Sequence, residues 1–161
     1  MRFGVLYLAT GVVFAACSGP RTVGITNRAA ISNRVSGQVA VWARARNNRS
    51  LDTLALLYEP RRDLRSVWPD GTILQGWTAV SARWKAWLDS ASQLNVVVGN
   101  PEVEALAPQA AVSSFTATTD VVAGGARRRE SQRVTQVWRL DEEGRWRIAV
   151  EHRSSLPPAL P

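Results

Sequence analysis

The side chains best suited to chemistry in this chain are Cys17, Asp70 and His152. Asp70 stands in the segment SVWPDGTILQGW, residues 66–77, where a tight turn separates two tryptophans. A carboxylate there could transfer a proton. However, Pro-Asp-Gly is also the composition that a turn requires, because proline presets its backbone angle, Asp bonds its own backbone and Gly accepts a positive φ. We therefore interpret Asp70 as a turn residue.

His152 is the single histidine, and its ordinary pKa is the closest to neutrality of any side chain. In the predicted last strand, RWRIAVEHRS, regular alternation places it on the face of Trp146, Ile148 and Val150, so it should point into the core or at its rim. Three roles stay open: a hydrogen-bonded core residue, a polar contact to a ligand, and a general base. No cysteine or carboxylate stands near it at metal-ligand spacing, so we expect no metal site.

Other catalytic patterns are missing from the sequence. It contains no G-x-S-x-G, no P-loop, no H-E-x-x-H and no C-x-x-C. We expect no cofactor. Six of the seven tryptophans are most simply core residues, although large rigid aromatics also form the walls of apolar pockets: Trp42, Trp77, Trp84, Trp87, Trp138 and Trp146. Trp68, beside the turn, is expected at the mouth of such a pocket.

The first residues, MRFGVLYLATGVVFAAC, combine Arg2 with an uncharged, mostly apolar run over residues 3–16, which is typical of an export signal. The run is shorter than the roughly 20 residues of a membrane-spanning helix, which favours cleavage. Small residues before Cys17 resemble the lipobox of bacterial lipoproteins, with Phe14 where leucine is usual. The resemblance implies a lipidated Cys17, a tether over residues 17–32 and a domain anchored to a membrane in the periplasm or at the cell surface. Ordinary cleavage and an uncleaved anchor stay open.

The composition predicts one folded domain, since 161 residues with 45% apolar content suffice for a single core. A single cysteine excludes an internal disulfide. The formal charge of +7 favours anionic partners where the charges cluster, which the sequence shows at Arg127, Arg128 and Arg129. We expect these in a solvated hairpin tip, with a contact to anionic lipid headgroups as the alternative. Export makes nucleic acid an unexpected partner.

The hydrophobic pattern predicts helices early and strands late. The spacing of Val35, Val39 and Trp42 predicts a helix over residues 33–48, LDTLALLYE predicts a second, short helix, and a third begins at Trp77. A hairpin surrounds Pro-Asp-Gly. The later strands are QLNVVV, AAVSSFTATTDVV, SQRVTQVWRL and RWRIAVEHRS, with turns or an edge in GNPEVEALAPQ and a connecting loop in AGGARRRE. This order predicts an α+β fold.

The segments LDTLALLY, PDGTILQG and DEEGRWRIAVEH resemble the SnoaL-like branch of the nuclear-transport-factor-2-like superfamily. The resemblance covers roughly residues 33–155. It implies a cystatin-like cone over residues 33–156, in which three N-terminal helices pack on a curved antiparallel sheet, followed by a disordered tail over residues 157–161. It also implies an apolar pocket at the wide mouth and, commonly, a homodimer. Members include isomerases, dehydratases, hydrolases, polyketide cyclases and binding domains, so the fold does not settle the function.

In the ketosteroid isomerase branch, the proton-transfer positions correspond to the neighbourhood of Trp42 and Trp68, and an indole cannot act as an acid or base near neutral pH. We therefore expect a membrane-anchored domain that binds a small apolar or amphipathic ligand without catalysis. The alternatives are an isomerase or cyclase that uses His152, and a protein interaction module whose cone is filled by tryptophans. The expected pocket residues are Trp42, Tyr58, Trp68, Trp84, Gln136 and His152.

Overall fold

The computed structural model describes residues 25–157. The predicted signal peptide and Cys17 lie outside the described residues, as do the start of the tether and residues 158–161. The first helix begins at Ile25 rather than at residue 33, so the second half of the predicted tether is helical. Ile31 is buried and the hydroxyl of Ser32 donates to the carbonyl of Val103 at 3.1 Å, which fixes this end of the helix to the sheet.

Three helices precede most of the sheet: α1 (Ile25–Asn47), α2 (Leu51–Ala55) and α3 (Trp77–Ser90). The predicted stripe is confirmed, since Val35, Val39 and Trp42 are buried on α1. The second helix is shorter than predicted because the chain leaves it to bond a strand: Ile148 donates to the carbonyl of Leu57, and Glu59 donates to the carbonyl of Ile148.

Seven strands form one curved, unclosed sheet in the order β2-β1-β7-β6-β5-β3, and β4 pairs with β5. The pairs are antiparallel apart from β1 and β7, which run parallel, so the sheet is mixed where the sequence predicted an antiparallel one. The α+β prediction is confirmed. The strands are β1 (Arg65–Val67), β2 (Ile73–Gln75), β3 (Ala91–Val98), β4 (Glu102–Ala107), β5 (Ala110–Ala123), β6 (Ala126–Leu140) and β7 (Trp146–Ser155).

The long hairpin of β5 and β6 corrects the prediction for AGGARRRE. The strands continue to a two-residue turn at Gly124 and Gly125, which both have positive φ, as such tight hairpins require. Arg127, Arg128 and Arg129 therefore lie in β6, paired with β5, and not in a loop.

A β-bulge in the last strand overturns the predicted orientation of His152. Val137 pairs with Val150 and Trp138 with Ile148, so Ala149 is an extra residue in β7. The extra residue reverses the alternation of side chains beyond it. His152 consequently faces outwards and is exposed.

The same reversal turns Glu151 and Arg153 inwards, where they are 0% and 2% exposed. Trp146 and Ile148, which precede the bulge, are also buried. The sheet thus presents two charged side chains to its concave, helix-covered side.

Glu151 is the centre of a buried hydrogen-bond network that joins four elements and the segment after α2. Its Oε2 accepts the hydroxyl of Tyr58 at 2.8 Å and the amide of Gln136 at 2.9 Å. The Tyr58 oxygen in turn accepts the indole N–H groups of Trp42 and Trp84, each at 3.2 Å. Burial, and then the carboxylate of Glu151, raise the pKa of Tyr58 well above its ordinary range, so the phenol keeps the proton that it donates.

We predict that Tyr58→Phe lowers the free energy of unfolding by about 3 kcal/mol, because it leaves two buried indole N–H groups without an acceptor. Urea denaturation measures this loss. Thr118→Val is the control, since it also deletes a hydroxyl, but one in a half-buried bond to Ser131. Equal unfolding midpoints for Tyr58→Phe and the native protein would contradict the network.

The turn between β6 and β7 is organised by Asp141. One carboxylate oxygen accepts the backbone N–H groups of Glu143 and Arg145, at 3.0 and 2.8 Å, and the other accepts the guanidinium N–H groups of Arg145 and Arg147. These bonds, the backbone one from Arg145 first, hold the pKa of Asp141 well below its ordinary range. The tight turn predicted for DEEG is therefore stabilised by its first residue.

We predict that Asp141→Asn lowers the urea midpoint of unfolding at pH 7. The difference in midpoint between the variant and the native protein should become smaller as the pH falls from about 5 to about 2. A carboxyl whose pKa is lower in the folded state stabilises above its ordinary pKa of about 4 and loses that contribution on acidification. Urea denaturation at several pH values measures the gap. Glu142→Gln, at the neighbouring exposed position, should behave like the native protein, and a gap independent of pH would refute the assignment.

Candidate functional site

A cavity of about 960 Å³ lies at one end of the fold. It is surrounded by the C-terminus of α1, the β1–β2 turn, α3, the start of β6 and the end of β7. Its inner lining is buried and its outer lining is exposed, so it forms a pocket with a floor and a rim. Floor residues are Arg46, Trp68, Gln132 and Arg153, with Trp87 as the half-buried wall; the rim includes Asp70, Arg83, Arg128, Arg129 and Pro157.

Two guanidinium groups form the floor, and both are stacked on tryptophans. Arg46 follows Trp42 by one helical turn, and its Cζ lies 4.4 Å from the centre of the Trp42 ring and 4.8 Å from that of Trp87. Arg153 enters from β7, with its Cζ 3.5 Å from the ring centre of Trp68. Cation–π contacts of this kind stabilise a desolvated cation, and they leave the N–H edges of the guanidinium groups available.

The two cations differ in how their charge is balanced. The Nε of Arg153 lies 2.9 Å from Glu151 Oε1, which is an ion-pair distance without the alignment of a hydrogen bond. Within residues 25–157, Arg46 makes no ion pair, and its one hydrogen bond goes from Nη2 to the hydroxyl of Thr119 at 3.3 Å. Burial, and then the positive charge of Arg153, lower the pKa of Arg46 to about 9, so it remains a cation at neutral pH.

Several buried polar atoms of the floor lack a hydrogen-bond partner among the described residues. They are Nε and Nη1 of Arg46, Nη2 of Arg153, Nε1 of Trp68 and Oε1 of Gln132. Buried donors without acceptors are rare in proteins because each one costs about 1–3 kcal/mol. Their concentration in a single pocket indicates a place for a polar ligand group.

The rim carries further charges, which are partly balanced. Asp70 Oδ2 lies 2.7 Å from Arg83, and Asp70 Oδ1 accepts the backbone N–H of Thr72 at 3.0 Å. These contacts, the Thr72 bond first, lower the pKa of Asp70 and hold it as a carboxylate. The predicted hairpin is confirmed, and Asp70 serves both the turn and the rim. Arg129 lies 3.9 Å from Asp120, while Arg128 has no partner within residues 25–157.

The residues that the sequence suggested for the pocket lie in three places. Trp68 lines the cavity, but it is buried in the floor and does not lie at the mouth. Four others, Trp42, Tyr58, Trp84 and Gln136, are buried in the network beneath the floor. His152 lies on the outer face of the sheet and does not line the cavity. A role in ligand binding stays a prediction for all of them.

Sequence reasoning missed the residues that dominate the floor. Arg46 extends the apolar stripe of α1 by one turn from Trp42, and a charged residue on a buried stripe was a signal that could have found it. Arg153 gave no comparable signal, because the bulge at Ala149 that turns it inwards is invisible to regular alternation. The pocket also differs from the apolar one that the family resemblance implied, since five arginines line its floor and rim.

Two further properties concern the described residues as a whole. Among residues 25–157 no group of three or more histidine, cysteine or acidic side chains is placed to hold a metal ion. No helix in the same range is both long and apolar enough to cross a bilayer.

Solved structures from several organisms have the same fold. An NTF2-like superfamily protein from Salmonella enterica superposes with a TM-score of 0.74 at 16% identity, over 82% of this chain and 95% of that one. An uncharacterized protein with a cystatin-like fold from Caulobacter vibrioides gives 0.68 at 21% identity, over 78% and 89%. The association domain of C. elegans CaMKII gives 0.65 at 18% identity, over 79% and 97%. At these identities the similarity shows the fold alone.

A search among curated proteins gives no match. The SnoaL-like domain family matches residues 35–159, which is most of the chain and nearly all of the fold described above. The helices and the mixed sheet are therefore those of a SnoaL-like domain, and the chain belongs to this family.

Proposed function

We propose that this chain is a membrane-anchored, extracytoplasmic binding domain that holds a small amphipathic molecule in its pocket without transforming it. The observation that carries the proposal is the cavity of about 960 Å³, whose floor combines indole rings with buried polar atoms that lack partners. Ligand pockets typically have this composition: rigid aromatic walls with a few polar groups that fix the orientation of the ligand.

The lining favours binding over proton transfer. His152, the general base of the isomerase or cyclase alternative, points away from the pocket on the outer face of β7. Asp70 lines the rim, but its carboxylate is bonded to Thr72 and Arg83, and its lowered pKa makes it a weak base. An interaction module with a cone filled by tryptophans would need no cavity at this end.

Anchoring through Cys17 fits the position of the pocket. The tether would join α1 at its first residue, Ile25, whereas Arg46 lies in its last turn. A helix of 23 residues is about 34 Å long. The pocket would thus open at the end of α1 remote from the lipid, towards the aqueous compartment. A homodimer through the outer face of the sheet is compatible with this placement.

We predict that Trp87→Leu weakens ligand binding at least tenfold, because Trp87 is the half-buried aromatic wall of the pocket. Native mass spectrometry of the gently purified full chain identifies the molecule that co-purifies, and titration calorimetry gives its Kd. Trp77→Leu is the matched control, since Trp77 is also half-buried on α3 but lies outside this cavity. A native protein without a co-purifying molecule, and without affinity for extracted envelope lipids or metabolites, would contradict the proposal.

We predict that Cys17→Ser moves the protein from the membrane fraction to the soluble fraction of the envelope and removes the mass of the acyl chains. Two or three acyl chains make anchoring stable, because each buried methylene contributes about 0.8 kcal/mol. Fractionation and intact-mass measurement test both parts. Unchanged membrane association of Cys17→Ser would refute the anchor but not the pocket.

A further inference from the structure

The floor of the pocket has one unbalanced positive charge. Arg153 is paired with Glu151, and Glu151 already accepts hydrogen bonds from Tyr58 and Gln136. Arg46 is 1% exposed and makes no ion pair among residues 25–157; the carboxylates of Glu151 and Glu130 act on it only at longer range. An isolated buried charge is among the most costly features that a folded protein can carry, so its retention needs a compensating group.

The donors that lack partners lie on the edges of the two cations. The ring of Trp84 lies 5.3 Å from the Cζ of Arg46 and 4.4 Å from that of Arg153, so both guanidinium groups flank the same indole. Their faces are covered by rings, while Nε and Nη1 of Arg46 and Nη2 of Arg153 have no acceptor. Both side chains line the cavity, so these buried donors lie next to the space that a ligand would fill.

We propose that this floor is a carboxylate-binding site, in which Arg46 and Arg153 hold the single negative charge of the ligand and Trp68 and Trp87 pack against its apolar body. The inference rests on the binding function proposed above and names the chemical class of its ligand. A carboxylate has two acceptor oxygens, so it can accept hydrogen bonds from one N–H group of each guanidinium. Its negative charge would balance Arg46, the cation of the floor that makes no ion pair among residues 25–157.

The test compares three probes with the same apolar chain: octanoate, 1-octanol and octyl phosphate. Titration calorimetry with the full chain is expected to give a Kd for octanoate at least tenfold lower than for either of the others. Arg46→Met is expected to raise the Kd for octanoate at least thirtyfold and to leave that for 1-octanol within about threefold. It should also raise the unfolding midpoint of the ligand-free protein, because replacing an uncompensated buried charge by an apolar side chain of similar length is stabilising.

Two controls test whether binding depends on the guanidinium shape of Arg46 as well as on its charge, and whether it depends on the net charge of the protein. Arg46→Lys keeps the charge but lacks the planar fork, and it should bind octanoate more weakly than the native protein. Arg133→Met removes one positive charge from an exposed residue of β6 that lies outside the cavity, and its Kd for octanoate should be unchanged.

The outcomes distinguish the two proposals. Equal affinity for octanoate and 1-octanol, tighter binding of octyl phosphate, or a co-purifying molecule without an acidic group would overturn the carboxylate site and leave the binding function standing. An affinity for octanoate that survives Arg46→Met would also overturn it. No binding of any probe and no co-purifying molecule would overturn both.

Discussion

The carboxylate of Glu151 is the group on which the arrangement of the pocket depends. It lies fully buried on β7 and collects hydrogen bonds from Tyr58 and Gln136 and an ion pair from Arg153. Through the phenol of Tyr58 it is linked to indoles of α1 and α3, so helices and sheet share one polar centre. Breaking such a buried pair by removing one partner typically costs about 3–5 kcal/mol. The same ion pair holds Arg153 at the floor of the cavity.

This centre leaves Arg46 without a balancing charge, and that imbalance connects stability with function. The domain lies in a single chain without a disulfide, and its core packs around a cation that has few partners of its own. Functional sites often violate the rules that the rest of a fold obeys, because groups poised for a ligand are unsatisfied until it binds. In this account the stacking of Arg46 on Trp42 and Trp87 reduces the cost, and the ligand removes the remainder.

Much of the fold was predictable because local patterns and tertiary structure agree. The apolar stripe of α1, the Pro-Asp-Gly hairpin and the β6–β7 turn each follow from residue types at fixed spacing. The candidate site was less predictable. A single extra residue, Ala149, exchanges the faces on which His152 and its neighbours lie, and no composition rule marks its position. Arg127–Arg129 were predicted to lie in a loop for another reason. Three consecutive arginines favour a solvated loop, and only the pairing with β5 places them in a strand.

The central claim is that Arg46 and Arg153 together receive an anionic group. The most direct test is a crystal structure of the full chain grown without carboxylate, phosphate or sulfate and then soaked in octanoate. The account predicts density for a planar carboxylate within hydrogen-bond distance of Arg46 Nη1 and Arg153 Nη2, with the alkyl chain against Trp87. Density for the chain with its headgroup in solvent, or donors of Arg46 that are satisfied by protein groups in the ligand-free crystal, would contradict it.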